Sequence, residues 1–407
     1  MMFSINILKL RKQILIGALL YLTIASSLAI SHGDTTLISP VLRVLFVYTQ
    51  YVAIFLALIC TSWRKCNKKS LLMLLPICVY YLFYLFDSHP FFSSPLNLLI
   101  VLPLFIIAVQ SPQVRIIVYI FFYWYIVLMS ILGIIASFSF IFKLGLPYEI
   151  VPYYFGDEYY INYYFAYLYW GGSEGVVFRL CGLFNEPGYF GTVSAILLIN
   201  EKLHLKRISN LLLFIAGFFT FSAAFYALLI IYLIFVSVRK IYVWIIVSVV
   251  AVIISCNINY IEENIPAFYH LIERFDFNSK EGKFEGDNRT NYIFEKNYAK
   301  VLNSTTSLLW GRGTDSHIKD NNSGVLSYKL IIYQYGLLGF ALIYSSFFLV
   351  RIRDIISCRE ALFLSICMLL SIYQRPYIFV AVYFIIYYGA LDYLIYNKKQ
   401  LEKNFLK

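Results

Sequence analysis

Apolar runs of about 16 to 29 residues recur through this sequence, and crossing a bilayer takes about 20. Nothing else in the chain limits its fold as strongly. Only 14% of the residues are charged, against roughly 25% in soluble domains. The sequence therefore reads as an all-α polytopic integral membrane protein with about twelve transmembrane helices. The first five are expected near 13–31, 41–60, 71–86, 96–111 and 114–142. The others fall near 188–201, 208–223, 225–238, 241–256, 336–350, 361–374 and 376–396. Without the break near Ala223 the count drops to eleven, which would put the termini on opposite sides.

Charge sets the orientation. Lys9, Arg11 and Lys12 precede the first run, and Arg64, Lys65, Lys68 and Lys69 follow the second. Arg115, Lys202, Lys206, Arg207, Arg239 and Lys240 come at alternate loops, followed by Arg351, Arg353, Arg359 and a lysine-rich tail. In a twelve-span arrangement all of these lie on one side, which the positive-inside rule makes cytoplasmic. The net charge of +11 is thereby explained without nucleic acid. The first apolar run lacks a small-residue cleavage site and reads as a span, not a cleaved leader. The seven cysteines include no Cys-x-x-Cys pair, so neither a disulfide framework nor a zinc site is expected. Cys181 and Cys256 alone could meet on the outer side.

The chain then divides into spans 1–5 (residues 1–142), a first outer loop (143–187), central spans (188–256), a second outer loop (257–323), and C-terminal spans with a cytoplasmic tail (324–407). The two loops are about 45 and 65 residues long, a length at which loops tend to be functional or disordered. The first carries a tyrosine run from Tyr153 to Tyr169. Its spacing of three and four predicts an amphipathic helix on the membrane surface. The rings would serve as an interfacial belt or as a stacking surface for sugars. Ser323–Val350 is too long for one span; Gly336 and Gly339 mark a break, with Val325–Tyr335 a helix near the interface.

Charge inside a greasy chain needs a use. The stretch from Phe178 to Thr192 gathers Arg179, Gly182, Glu186, Pro187, Gly188 and Gly191. Arg179 is a permanent cation whose fork suits a phosphate bidentately; it could equally snorkel to lipid headgroups. Glu186 before Pro187 suits the first turn of a helix, where its dipole favours a carboxylate. It could instead orient Arg179 or take a proton from a substrate hydroxyl. The second loop offers Asp287-Asn288-Arg289, then Gly311-Arg312-Gly313, then His317 and Asp320. The Gly-Arg-Gly turn permits close backbone approach, and His317 is a candidate base or merely solvated. Asp287, Asp315 and Asp320 match no cation-binding loop. Arg43 and Arg375 sit near outer span ends and could add to a cationic pocket or snorkel. The expectation is that the two polar stretches face each other across one site.

Arg179-x-x-Gly182-x-x-x-Glu186-Pro187 at a span entrance resembles the recurring segment of the O-antigen and polysaccharide polymerases (the Wzy family). The later order is also similar: Asp287-Asn288-Arg289, Trp310-Gly311-Arg312-Gly313, then Tyr335-Gly336-Leu337-Leu338-Gly339 entering a span. The resemblance runs in outline from about Val177 to Val350. It implies a GT-C-like membrane glycosyltransferase acting on the outer face of a bacterial inner membrane. Such an enzyme transfers a growing glycan from undecaprenyl diphosphate to a sugar hydroxyl on a new repeat unit. Arg179 and Arg289 would stabilise the departing diphosphate, with Arg312 in support. Glu186 or His317 would be the base. Asp287, Arg43, Arg375 and Gly182 would help to bind substrate. Implied partners are the lipid-linked oligosaccharide, membrane lipids and, as an optional one, a chain-length regulator protein; no nucleic acid, cofactor or metal is implied.

Two departures bear on the roles. The related O-antigen ligases carry a His-Asn pair shortly before the Gly-x-x-Gly span, where this chain has Asn321-Asn322. Gly191 and Gly324 follow Arg179 and Arg312 at a spacing of twelve residues, whereas Arg289 has no such glycine. A ligase stays an alternative within the enzyme class. A flippase for the same lipid-linked oligosaccharide is the alternative from the transporter class. Its kind tends to have short loops and internal repeats, while here the charges concentrate in two outer loops.

Overall fold

A computed structural model of the chain describes residues 2–28, 39–63, 71–79, 96–152, 158–171, 178–237, 249, 256–257, 277–278, 283–284, 290–313, 316–320, 325, 327–376 and 378–405. It is mostly helical. Among the described residues three helices are long and apolar enough to cross a membrane: Val41–Cys60, Pro112–Phe142 and Tyr328–Leu349. Leu99–Val109, Ile208–Phe219 and Ala223–Val236 are shorter apolar helices. The described residues form two compact units.

The first unit comprises Met1–Ser26, Val44–Phe122 and Asn288–Lys407. It holds α1 (Met2–Ala25), most of α2 (Pro40–Cys60), α3 (Leu96–Val109) and the start of α4 (Pro112–Phe142). Helix ends leave carbonyls without intrahelical partners, and arginine supplies them here. Arg11 donates to the carbonyls of Ile59, Cys60 and Thr61 at 2.7, 3.1 and 3.1 Å, at the end of α2. Arg115 donates to those of Ala108 and Gln110 at 3.2 and 2.5 Å, at the end of α3.

The C-terminal part of this unit ends in a helix that changes pitch. Its first turn (Ala381–Phe384) passes through a π segment (Ile385–Gly389) into a final helix (Ala390–Phe405). A Cβ on Gly389 would lie 2.9 Å from that of Tyr119 and 3.2 Å from the carbonyl oxygen of Arg115, so only glycine allows this approach to α4. The approach brings Asp392 to Arg115, at 2.7 Å, and to Arg351, at 2.8 Å. Arg351 also pairs with Asp354 at 2.5 Å. The side chains of Arg115 and Asp392 are each 3% exposed. Arg115 and Arg351, read from sequence as solvated loop charges, are thus members of a buried ion network. A lone aspartate in an apolar run was the available signal.

The second unit comprises Ser27–Arg43 and Tyr123–Asp287. Its first loop overturns the surface-helix expectation and adds a small sheet to a mostly helical chain. Four strands between residues 149 and 182 pair as an antiparallel sheet in sequential order: β1 (Glu149–Pro152), β2 (Glu158–Asn162), β3 (Tyr167–Gly171) and β4 (Phe178–Gly182). Tyrosine fits a pleated surface and gains from cross-strand pairing. Tyr160 lies opposite Tyr169 and Tyr159 opposite Trp170, with ring centroids 6.0 and 6.1 Å apart. The turn between β2 and β3 is set by Asn162, whose side chain accepts the Tyr164 N–H at 2.7 Å, an arrangement that offers the backbone a turn in place of a helix. Tyr160, Tyr167, Val151 and Cys181 make the core of this sheet.

β4 leads into α5 (Pro187–Asn200), which packs against α6 (Ile208–Phe219) and α7 (Ala223–Ser237). At 14 residues α5 is about 21 Å long, short of a hydrocarbon core of roughly 30 Å. It is buried along nearly its whole length, which suits a helix that is apolar all round. Gly191 admits the following helix pair: a Cβ there would lie 2.8 Å from Thr220 Oγ1 and 2.9 Å from Ser222 Cβ.

Asp392→Ala is expected to lower the melting temperature of the detergent-solubilised protein sharply. It leaves the buried Arg115 guanidinium without its carboxylate and Arg351 with Asp354 alone, a loss of about 3–5 kcal/mol. An unchanged melting curve would show that the network is dispensable.

Candidate functional site

In the first unit the second long loop carries helices of its own. α8 (Tyr292–Leu302) and α9 (Thr305–Trp310) are each opened by a side-chain cap. Asn291 accepts from the Phe294 N–H and Ser304 from the Ser307 N–H. α10 (Ser316–Lys319) is short, and α11 (Tyr328–Leu349) follows. The expected break at Gly336 is present: this residue has φ 69° and ψ −179° inside α11.

Two close backbone approaches lock the chain after α9 to that break. A Cβ on Gly311 would fall 2.2 Å from the Gln334 carbonyl oxygen, and one on Gly336 would fall 2.2 Å from that of Leu309. Gly311 and Gly313 both adopt positive φ, 78° and 94°, where side chains are disfavoured. The Arg312 N–H donates to the Tyr333 carbonyl at 2.8 Å, and the Gly313 N–H to that of Gln334 at 2.9 Å. In an unbroken helix those carbonyls would accept from residues 337 and 338.

This places the Arg312 side chain. Its Nη1 donates to the Tyr333 hydroxyl at 2.9 Å and lies 3.0 Å from Asp320 Oδ2. The Tyr333 hydroxyl donates in turn to Asp320. The guanidinium carbon lies 5.6 Å from the Tyr333 ring centroid. Arg312 Nε and Nη2 make no hydrogen bond among the described residues, and the side chain is 39% exposed. Those two N–H groups form the parallel edge that grips a phosphate or carboxylate bidentately. Next to this cluster, His317 Nδ1 lies 3.0 Å from Gln334 Nε2. An amide nitrogen only donates, so Nδ1 accepts and the neutral ring carries its proton on Nε2. In this tautomer Nε2–H is a donor, and a base role requires the other tautomer.

In the second unit Arg179 lies on β4, not in a helix entrance. Its Nε donates to the Thr220 carbonyl at 3.0 Å and its Nη2 to that of Phe221 at 3.3 Å, at the end of α6. The guanidinium also sits over the Tyr169 ring, 5.8 Å from its centroid. The bidentate edge that Arg312 leaves open is therefore occupied in Arg179. Gly182 ends β4 at φ 62°, a turn that glycine accepts without strain. Glu186 is the N-cap of α5, with Pro187 at its first position and no side-chain capping bond.

Two of the remaining candidates are described. Arg43 lies in the first turn of α2 and is half-buried. Arg375 is the C-cap of α12 (Arg359–Gln374). Asp287, Arg289 and Asp315 lie outside the described residues. Among those described, no cluster of His, Cys, Asp or Glu could hold a metal ion, and Cys181 and Cys256 are both free thiols. Sequence reasoning singled out Arg312 and Asp320 but missed Tyr333, whose place three residues before Gly336 was the only hint. No protein-family model, no curated protein and no solved structure matches the chain.

Gly336→Ala is expected to be strongly destabilising, because its Cβ has no room and its φ is unfavourable. Gly17→Ala, in α1 with open space around it, should be neutral or stabilising by up to about 1 kcal/mol. Equal melting temperatures for the two variants would contradict the lock between α9 and α11.

Proposed function

We propose that the chain is a polymerase of undecaprenyl-diphosphate-linked oligosaccharide repeat units, serving O-antigen, capsule or exopolysaccharide synthesis. It is a multi-pass protein of a bacterial inner membrane, with about twelve crossings, a GT-C-like architecture and both termini cytoplasmic. Its active face is periplasmic. The growing glycan passes from its lipid diphosphate to a sugar hydroxyl on an incoming unit. The bond from the anomeric carbon to the diphosphate breaks, a glycosidic bond forms, and the hydroxyl proton leaves to a base.

The observation that carries this reading is the open Nε–Nη2 edge of Arg312. Charge accumulates on the diphosphate as it departs, and a fixed guanidinium stabilises that charge best when it need not reorganise. Asp320 and Tyr333 hold the other edge of Arg312, which supplies the fixing. Arg312 therefore takes the leading role on the diphosphate, with Arg289 beside it in sequence order. Arg179 acts as a positioning residue, holding β4 to the end of α6. His317, in the other tautomer, is the candidate base on the same unit.

The test uses cells lacking the native gene, complemented at matched membrane levels, with the surface glycan displayed on a gel. Wild type is expected to restore long chains. Arg312→Ala and Arg312→Lys should leave mainly a single repeat unit, a rate loss of about 10²–10³-fold. A full ladder from Arg312→Ala would remove Arg312 from the site. Loss of even the single-unit product on deletion would replace the polymerase with a flippase or ligase.

A further inference from the structure

The second unit holds a cavity that the reading above does not use. It has a volume of about 540 Å³ and lies at the end of α4. Its walls are aromatic: Phe140, Tyr148, Tyr163 and Phe178. Tyr148 and Tyr163 stand 5.3 Å apart, and Phe140 and Phe178 5.6 Å. Lys143 adds a charge at the exposed rim.

Lys143 is also the residue that ends α4. Its φ is 51°, and the Leu144 N–H donates to the Ser139 carbonyl at 3.0 Å. This is the helix-ending turn in which glycine is the usual occupant. A lysine kept in a strained conformation points to a task for its charge. On either side of it the chain exposes large apolar side chains, Phe142 (62%) before it and Leu144 (63%), Tyr148 (47%) and Ile150 (55%) after it. A contiguous exposed apolar strip marks contact with a membrane or partner, and this one continues a helix apolar enough to cross a bilayer.

We infer that this cavity binds a phosphate-headed membrane lipid. The aromatic walls take the first part of its apolar chain, and Lys143 takes oxygens of its phosphate. A sugar would need many more hydrogen-bonding partners than this lining offers. The site depends on the membrane character of the chain and not on the polymerase reading.

The test titrates the full-length protein in detergent with phosphatidylglycerol, undecaprenyl phosphate and diacylglycerol, reading bound lipid by native mass spectrometry. Wild type should bind a phosphate-headed lipid in preference to diacylglycerol, and the tighter of the two phosphate lipids identifies the source. Lys143→Gly relieves the strained turn, so it should keep or raise the melting temperature. It should also weaken phosphate-lipid binding about tenfold, the scale of one charge-assisted hydrogen bond. Tyr148→Ala should weaken all lipids that bind. Diacylglycerol binding as tightly as phosphatidylglycerol, or Lys143→Gly binding like wild type, would overturn the inference.

Discussion

The backbone exchange between the Gly311–Gly313 turn and the break at Gly336 is the constraint on which the candidate site depends. Two glycines bring main chain within reach of main chain, and two N–H groups then meet the carbonyls of Tyr333 and Gln334. A polar backbone near a bilayer must find such partners, because each unsatisfied group costs several kcal/mol (about 2–7). The same exchange places a guanidinium beside the Tyr333 hydroxyl and Asp320. Helix breakage, backbone satisfaction and side-chain placement are one event here.

Arginine has more than one use in this chain, and the geometry separates them. Arg11, Arg115 and Arg179 donate to carbonyls at the ends of α2, α3 and α6, where a cation also meets the negative end of the helix dipole. Arg115 and Arg351 further share Asp392 inside the protein. In Arg312 one edge is held by neighbours and the other has no partner among the described residues. An arginine that binds a ligand must be held without being saturated, and that condition favours Arg312 over Arg179.

Much of the helical framework was legible in the sequence because apolar length is a direct signal. The helix starts near 96, 187, 208 and 223, and the break at Gly336, follow from run length, Pro187 and glycine spacing. The sheet at 149–182 was not legible. Tyrosines three and four apart suit a helix face, and only cross-strand partners many residues away reveal the strand pairing. The ion network around Asp392 was hidden for a related reason, since Arg115 and Arg351 resemble ordinary loop charges until a distant carboxylate is placed between them. At the site, the Gly-Arg-Gly turn signalled close approach, but its partner in α11 was beyond local reading. The leading place first given to Arg179 came from its neighbours in sequence, whereas its hydrogen bonds come from a turn some forty residues on.

The most direct measurement is made on purified protein in liposomes supplied only with undecaprenyl-diphosphate-linked repeat units. Products are read by mass spectrometry. Formation of glycans two or more units long, with one undecaprenyl diphosphate released for each new glycosidic bond, is the expected result. That stoichiometry should disappear in Arg312→Ala. Movement of the lipid-linked unit across the bilayer without any new bond would contradict the account and identify a transporter instead.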